Sequence, residues 1–374
     1  MNIQITTRLE PRRYTRTEGE ADALIEVRAD GVEIDLAGAV LDGEDCTGIG
    51  VYLRDCRRVS IKNGIIKGFY YGIRAENVRE LRIENCIVSD NHNPDVGWLP
   101  DSDDPAEDGF GGGIYLCGVS DSLIEGNGMN GNLNGIDLVR SDRNMIRNND
   151  ASGNSNIGIH LLQSSHNSVE SNRADHCIRY TDRFWCDTAD SAGILLEERS
   201  HRNRITDNTM RYSGDGLFIR ANNRHSCDHN YVARNDASFS PNNAFEAVFS
   251  EYNVFEENIA DFSNYGFWLG YSRNTVVRRN RITANRFDGV SIEHGSHNTI
   301  EDNHIEGSRT GIRLWSDSPP GGADPSEDYT IRRNRILDSR ECGIWYANTA
   351  RVHLEDNEYV GNRVDVREER RPGC

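Results

Sequence analysis

The sequence predicts an all-β protein folded as a single right-handed parallel β-helix, a solenoid of about 12 coils with loop insertions on one face. The first observation behind this prediction is a repeat of about 22–23 residues, which is too short for pairs of α-helices. The second is that apolar residues alternate within each repeat, as they do in strands. The third is an Asn that closes almost every repeat, at Asn127, Asn149, Asn172, Asn208, Asn235, Asn258, Asn280, Asn303, Asn334 and Asn357.

Each repeat contains three short strand patterns. The first follows a Gly, as in Gly135-Ile136-Asp137-Leu138, where apolar residues alternate with outward ones. A second pattern follows, for example at 276–278 and 299–301, and a third at 281–282 and 304–305. Asn and Gly between them suit turns, because both accept left-handed backbone and Asn also bonds to neighbouring main chain. The closing Asn residues are therefore predicted to stack from coil to coil in a structural ladder.

The chain divides by pattern into three parts. Residues 1–21 are polar and charged and are predicted to lead into or cap the first coil. Residues 22–365 carry the repeat, beginning with an early strand at 32–36, and residues 366–374 form a charged tail. An elongated domain with a thin core also accounts for the low hydrophobic content of 36%.

Composition excludes several partners. A formal net charge of −18 argues against DNA or RNA, which are bound by an excess of Lys and Arg. No apolar stretch is long enough to span a bilayer, so no membrane partner is expected. The sequence as given predicts a cytoplasmic protein, or a secreted one if a leader has been removed. Oligomeric state cannot be inferred.

Nine Cys without a Cys-x-x-Cys spacing argue against structural zinc, and Cys56 and Cys86 are interpreted as buried apolar residues.

The Gly-Ile-x-Leu openings, the Ile-x-x-Asn turns and the run Asp35-Leu36-Ala37-Gly38 resemble the repeats of the pectate-lyase-like superfamily. They are most similar to its NosD and carbohydrate-binding and sugar-hydrolysis branch, over about residues 22–365. This resemblance implies a right-handed parallel β-helix and one of several functions: lyase, hydrolase, epimerase or non-catalytic protein. The Asp-Pro-His motif of alginate epimerases is absent, and the lysine base of many β-helix lyases has no counterpart.

The candidate site is predicted from the outward positions of the first strand of each repeat. Stacked at about 4.8 Å from coil to coil, these positions carry aromatic rings, Arg, carboxylates and a His, which is the composition of a sugar-binding cleft. The predicted catalytic residues are Asp137, His160, Glu197 and Glu246. The predicted substrate-binding residues on the same strands are Tyr115, Arg220, Trp268, Glu293, Arg313 and Trp315.

Three insertions precede the Gly that opens this strand and are predicted to wall one edge of the cleft. The first two supply four further substrate-binding residues: Trp98, Trp185, Asp182 and Arg183. Asp101, Asp103 and Asp104 in the first insertion offer oxygen ligands of the kind Ca²⁺ takes, although the EF-hand spacing is missing. No metal or other cofactor is therefore predicted, with Ca²⁺ at these three residues as the alternative.

The leading functional hypothesis is a glycoside hydrolase acting on an oligo- or polysaccharide. Asp137 and Glu197 lie two coils apart, about 9–10 Å by strand spacing, near the upper limit for an inverting glycosidase. A uronate lyase or C5-epimerase is the alternative, with His160 or Tyr115 transferring the proton and Arg220 or Arg313 neutralising the carboxylate. A third alternative is a non-catalytic sugar-binding or scaffold protein. The candidate residues can also have purely structural roles. Glu197 and Arg220, for example, are also expected to form an ordinary surface ion pair.

Overall fold

The computed structural model describes residues 1–16, 22–92, 111–179, 191–221, 225–317 and 324–369. The chain is a right-handed parallel β-solenoid of about 14 turns, which confirms the predicted fold class. Its described residues include no helix long and apolar enough to cross a membrane. They form two compact units. The first holds the described residues up to 179 with Gly193–Leu195 and Arg199–Arg204, and the second holds 191–192, Leu196–Glu198 and those from Ile205 onward.

Each coil contributes a strand to up to three faces, called here face A, face B and face C. Face A carries the Gly-led strands. In the first unit these are Asn2–Ile3, Ala23–Val27, Ile49–Arg54, Tyr71–Glu76, Gly112–Cys117, Asn134–Val139 and Ile157–Leu162. Ala192–Glu197 has residues in both units. In the second unit they are Asp215–Arg220, Asn243–Ala247, Tyr265–Trp268, Asp288–Glu293, Thr310–Trp315, Cys342–Ala347 and Val366–Glu369.

Face B follows face A along the chain and contains shorter strands. Those of the first unit are Thr7–Arg8, Glu33–Asp35, Ser60–Lys62, Arg82–Glu84, Leu123–Glu125, Met145–Arg147 and Ser168–Glu170. Arg204–Thr206 has residues in both units. Those of the second unit are Tyr231–Ala233, Val254–Glu256, Val276–Arg278, Thr299–Glu301, Ser326–Arg332 and Thr349–Glu355.

Face C completes the coil and forms one four-stranded sheet in each unit. Its strands are Arg13–Thr15, Val40–Asp42, Ile65–Lys67 and Ile87–Ser89 in the first unit, and Arg281–Thr283, His304–Glu306, Arg335–Leu337 and Glu358–Val360 in the second. Strands within residues 2–15 pair in parallel with those of the next coil, and Val366–Glu369 pairs with Cys342–Ala347. Paired strands therefore extend at both ends beyond the repeat limits of 22–365 set by the sequence pattern.

The core consists of aliphatic columns inside the coils. Ile73, Ile114, Ile136 and Ile159 are paired in register on consecutive face A strands and are essentially inaccessible to solvent. A fully buried aliphatic side chain of this size contributes about 1.5–3 kcal/mol to folding. Cys56 and Cys86 are buried, as predicted.

The opening Gly is required by close approach of the backbone. A Cβ on Gly135 would lie 2.5 Å from the carbonyl oxygen of Gly158 in the next coil, and one on Gly289 would lie 2.6 Å from that of Gly311. Real Cβ atoms do not approach a carbonyl oxygen so closely, which explains why Gly recurs at this place in each repeat.

The predicted Asn ladder is present, and of the two reasons expected for Asn only the bonding of its side chain to neighbouring coils applies. The left-handed residue is the one before each ladder Asn, for example Arg234 at φ 56° and Glu257 at φ 56°. The ladder Asn itself is buried and bonds to its counterpart in the next coil, as Asn235 does to Asn258 at 3.0 Å. Side-chain bonding across coils, rather than backbone preference, selects Asn at these positions.

Candidate functional site on face A

Face A has the register that the repeat predicted. Tyr115, Asp137 and His160 are direct partners on three consecutive strands of the first unit. In the second unit Trp268, Ser291, Arg313 and Trp345 form a corresponding column. The outward positions therefore become neighbours in space as expected, and their side chains form two distinct groups, one in each unit.

In the first unit Asp137 holds His160. The Asp137 Oδ1 atom lies 3.1 Å from Nδ1 of His160, and the two side chains are only 8% and 12% exposed. Asn134 donates to the same Asp137 oxygen at 2.9 Å, and Asn156 donates to Asn134 at 2.9 Å. A carboxylate bonded in this way directs the Nδ1–H tautomer of the imidazole and stabilises its protonated form. The arrangement can support acid–base chemistry at His160.

Tyr115 lies beside this pair but is 2% exposed. Its ring packs 5.0 Å from that of Tyr71, in a cluster with Val139 and Leu162 on the outer side of face A. Burial raises the pKa of the Tyr115 phenol, so the hydroxyl stays protonated at neutral pH. The guanidinium of Arg74 lies 5.3 Å from the Tyr115 ring centroid.

The remaining predicted carboxylates are held in the second unit. Glu197 Oε1 lies 2.7 Å from Nε of Arg220, and both side chains are largely buried, so the expected ion pair is present. Glu246 accepts a short hydrogen bond from the amide of Asn243, and that amide also donates to Asp215 at 3.1 Å. Both carboxylates are therefore engaged by neighbouring side chains of face A.

The largest group of aromatic side chains on face A is in the second unit. We call Trp268, Trp315, Trp345 and Arg313 the tryptophan patch. The Arg313 guanidinium lies 4.6 Å from the Trp315 ring centroid and 4.7 Å from that of Trp345, and Trp315 meets Trp268 edge to face at 5.5 Å. Glu293 pairs in register with Trp315 at the patch border. Flat rings around a guanidinium suit the stacking of a sugar ring together with the binding of a carboxylate.

A buried carboxylate lies beside the patch. Asp288 is fully buried, and its oxygens lie 3.3 Å from Arg309 and 3.7 Å from Arg313, with a hydrogen bond from Ser291 at 3.2 Å. Burial raises the pKa of Asp288, and the two guanidinium groups oppose that rise. Asp288 therefore holds both arginines at the surface.

Two of these supporting residues were missed by the sequence reasoning. Asn134 and Asp288 immediately precede the opening Gly of their repeats. The sequence prediction used only outward positions that follow this Gly. A polar residue directly before that Gly is the signal that could have found both. Seven predicted residues lie outside the described part of the chain: Trp98, Asp101, Asp103, Asp104, Asp182, Arg183 and Trp185.

The fold and the side chains of face A define a right-handed β-helix protein with a candidate binding face. The chain belongs to the family whose model is described as periplasmic copper-binding protein (NosD), which matches residues 180–372. A second model, right-handed beta helix region, matches residues 41–182 and 107–245. No curated protein matches the chain.

Solved structures of similar fold include three proteins of the kinds implied by the resemblance. The A-module of mannuronan C-5 epimerase AlgE4 from Azotobacter vinelandii is 16% identical over 91% of this chain and 88% of that chain, with a TM-score of 0.45. The periplasmic alginate epimerase AlgG is 11% identical over 94% and 79%, at 0.46. A mannuronic acid-specific polysaccharide family 6 lyase from human gut microbiota is 13% identical over 95% and 77%, at 0.50. At such identities the similarity concerns the fold alone.

The family description raises the question of copper, which proteins bind through Cys, Met and His. Within the described ranges, no group of three or more His, Cys, Asp or Glu side chains is placed to hold a metal ion. The described residues therefore do not fit a copper centre.

Proposed function

We propose that this protein acts on an acidic polysaccharide bound along face A, by proton transfer at His160. The observation that carries the proposal is the 3.1 Å contact between Asp137 Oδ1 and His160 Nδ1, held by the amide of Asn134. The reaction class that fits is removal of the proton beside a uronate carboxylate, as in a lyase or a C5-epimerase.

The roles follow from the contacts. Asp137 accepts hydrogen bonds from Asn134 and from the imidazole, so it orients the ring of His160. His160 removes the proton from the carbon next to the uronate carboxylate. The electron pair left on that carbon then either forms a double bond to the adjacent carbon, whose glycosidic oxygen leaves and takes a proton from water, or takes a proton from water on the opposite face of the ring. The first outcome is elimination and the second is epimerisation.

An acidic ligand is supported independently by the second unit. The tryptophan patch presents Arg313 between two indole rings, and Asp288 holds Arg309 beside it. Guanidinium groups bind carboxylates in a planar, two-bond geometry, and the rings supply the apolar surface on which a pyranose stacks. A polymer of uronic acids offers both features in every residue.

Glycoside hydrolysis, the leading hypothesis from the sequence, stays a prediction. It requires one carboxyl group that remains protonated until it donates to the leaving oxygen. Asp137, Glu197 and Glu246 are each engaged by a His, Arg or Asn side chain, whereas the imidazole of His160 is the group that Asp137 orients, and this arrangement supports proton abstraction by His160 over hydrolysis.

The test is a panel of polysaccharides incubated with the purified protein. Polymannuronate, polyguluronate and polygalacturonate are compared with neutral glucans and mannans. A lyase produces an unsaturated product that absorbs in the ultraviolet, and an epimerase changes the proton NMR spectrum of the polymer without new chain ends. New reducing ends without the ultraviolet band would establish hydrolysis instead. Binding of acidic polymers without any product would support the non-catalytic alternative.

Replacing Arg313 with Ala is expected to weaken binding of acidic oligosaccharides by about tenfold or more, since a hydrogen bond to a charged group contributes about 1.5–3 kcal/mol. Arg313→Lys should recover only part of the loss, because an ammonium group lacks the planar fork that stacks on Trp315 and Trp345. Titration calorimetry measures both effects. Arg363→Ala, which removes an exposed arginine outside the patch, is the matched control. Equal losses in both variants would mean that net charge alone attracts the ligand.

A further inference from the structure

A pocket lies beyond face A, where the face A strands of the second unit turn toward face B. It is an open surface pocket of about 480 Å³, lined by Ser226, Phe249, Glu251, Tyr271, Arg273 and Asp324. This volume is in the range of pockets that hold small molecules. None of these residues belongs to the tryptophan patch or to the Asp137–His160 pair.

Two aromatic rings form one side of the pocket. Phe249 and Tyr271 stack with ring centroids 4.5 Å apart and an interplanar angle of 16°. Both have left-handed backbone, at φ 51° and φ 57°, and each donates its backbone N–H to the next coil just after a face A strand. The corresponding turns in the first unit hold Asp55, Asn77, Gly118, Arg140 and Gln163, none of which is aromatic.

Aromatic side chains with positive φ recur at turns of the second unit, for example at Phe239 and Phe262, and those at Phe249 and Tyr271 line the pocket. A bulky residue with positive φ is disfavoured by the contact of its Cβ with the following carbonyl group. Stacking between rings offsets part of this cost. Phe249 nevertheless stays 49% exposed, which leaves a large apolar surface facing the pocket.

His294 supports the aromatic side of the pocket. His294 stacks on Tyr271 with ring centroids 4.7 Å apart and is 4% exposed. Its Nε2 atom lies 2.8 Å from Asp317, and its Nδ1 atom lies 2.7 Å from the carbonyl oxygen of Asp324. The ring thereby ties Asp324, a pocket residue, to the aromatic stack. A pocket held in this way loses little conformational freedom when a ligand binds.

The remaining lining is polar and has an excess of negative charge. Arg273 and Asp324 are 3.7 Å apart and form a loose, exposed ion pair. Glu251 is half-buried, and within the described part of the chain no side chain forms an ion pair or hydrogen bond with its carboxylate. Ser226 adds a hydroxyl group. Two carboxylates against one guanidinium disfavour an anionic ligand, in contrast to the arginines of the tryptophan patch.

We propose that this pocket binds a neutral pyranose, and that it is a carbohydrate site separate from face A. The C–H face of the sugar packs on Phe249 and Tyr271, while its hydroxyl groups bond to Glu251, Arg273 and Ser226. The inference does not depend on the reaction proposed for face A, because it rests on different residues and concerns an uncharged ligand.

The experiment uses the full-length protein with the methyl glycosides of glucose, galactose and mannose, and methyl glucuronide as the charged comparison. Binding is measured by saturation-transfer NMR and by titration. We expect at least one neutral glycoside to bind more tightly than the glucuronide. Phe249→Asn should weaken that binding by about tenfold or more. The thermal midpoint of this variant should be unchanged or higher, because Asn accepts the left-handed conformation.

Phe262→Asn is the matched control. Phe262 also has positive φ, at 56°, is 55% exposed and stacks on a neighbouring ring, but it lies outside the pocket lining. This variant should bind like the unmodified protein, whereas Glu251→Gln should bind less tightly while remaining folded. The proposal is overturned if no neutral glycoside binds, if the glucuronide binds best, or if Phe262→Asn loses as much affinity as Phe249→Asn. Activity toward acidic polysaccharides should be the same in all three variants, so failure here is distinguishable from failure of the face A proposal.

Discussion

Replacing His160 with Gln is expected to lower turnover of the acidic polysaccharide by about 10²–10⁴-fold, the usual contribution of a positioned general base. Gln retains a polar side chain beside Asp137 but cannot accept and release a proton near neutral pH. Binding of the polymer should change little, because the tryptophan patch is untouched. The measurement is the initial rate of product formation, with affinity determined separately by titration.

Two further variants make this result specific. Asp137→Asn should also lower the rate, because a neutral amide no longer stabilises the protonated imidazole. His166→Asn is the control, since His166 is an exposed turn residue at φ 61° that Asn can replace without strain. If His160→Gln retains the full rate, His160 is not the acid–base group and the proposed reaction is incorrect.

Removing one member of the Asn ladder is expected to have the largest effect on stability. The side-chain oxygen of Asn258 accepts from both N–H groups that Asn235 directs at it, each at 3.0 Å, and its amide donates to the carbonyl of Val232 at 2.9 Å. Asn258→Ala leaves these buried groups without partners. At about 1–3 kcal/mol for each unpaired group, the free energy of unfolding should fall by about 3–5 kcal/mol. Urea unfolding measures the change.

The control for the ladder is an exposed Asn in a similar turn. Asn148 has φ 55° and makes one surface bond, at 3.3 Å, to Glu125. Asn148→Gly keeps the left-handed conformation and should change stability by less than about 0.5 kcal/mol. A small effect in both variants would show that the ladder bonds contribute little beyond the packing of the coils.

Most of the fold was predictable because a solenoid relates sequence spacing directly to spatial position. Thr299–Glu301 and Val276–Arg278 are strands within the predicted limits, and the pairing of Tyr115, Asp137 and His160 is the predicted one. Register in such a fold depends on the alternation of inward and outward side chains, since a slip of one residue would expose a whole apolar column.

The environment of the site residues was less predictable. Tyr115 occupies an outward position, yet neighbouring outward side chains, including Val139 and Leu162, bury it. The repeat predicts whether a side chain lies on the inner or the outer side of its strand, but not which neighbouring side chains cover it. The position of Asp288 before the opening Gly was visible in the sequence, but its contacts with two arginines of the next coil were not.

The sequence by itself determined the parallel β-helix, the order of its coils and the column to which each outward residue belongs. The 22–23-residue period carries that information, because each coil can bury its apolar side only against the next one. Only the tertiary structure decided that Asp137 bonds to His160, that Arg313 lies between two indole rings, and that Phe249 and Tyr271 border a pocket. Those contacts depend on side-chain rotamers and on packing between coils, which the period of a repeat does not encode.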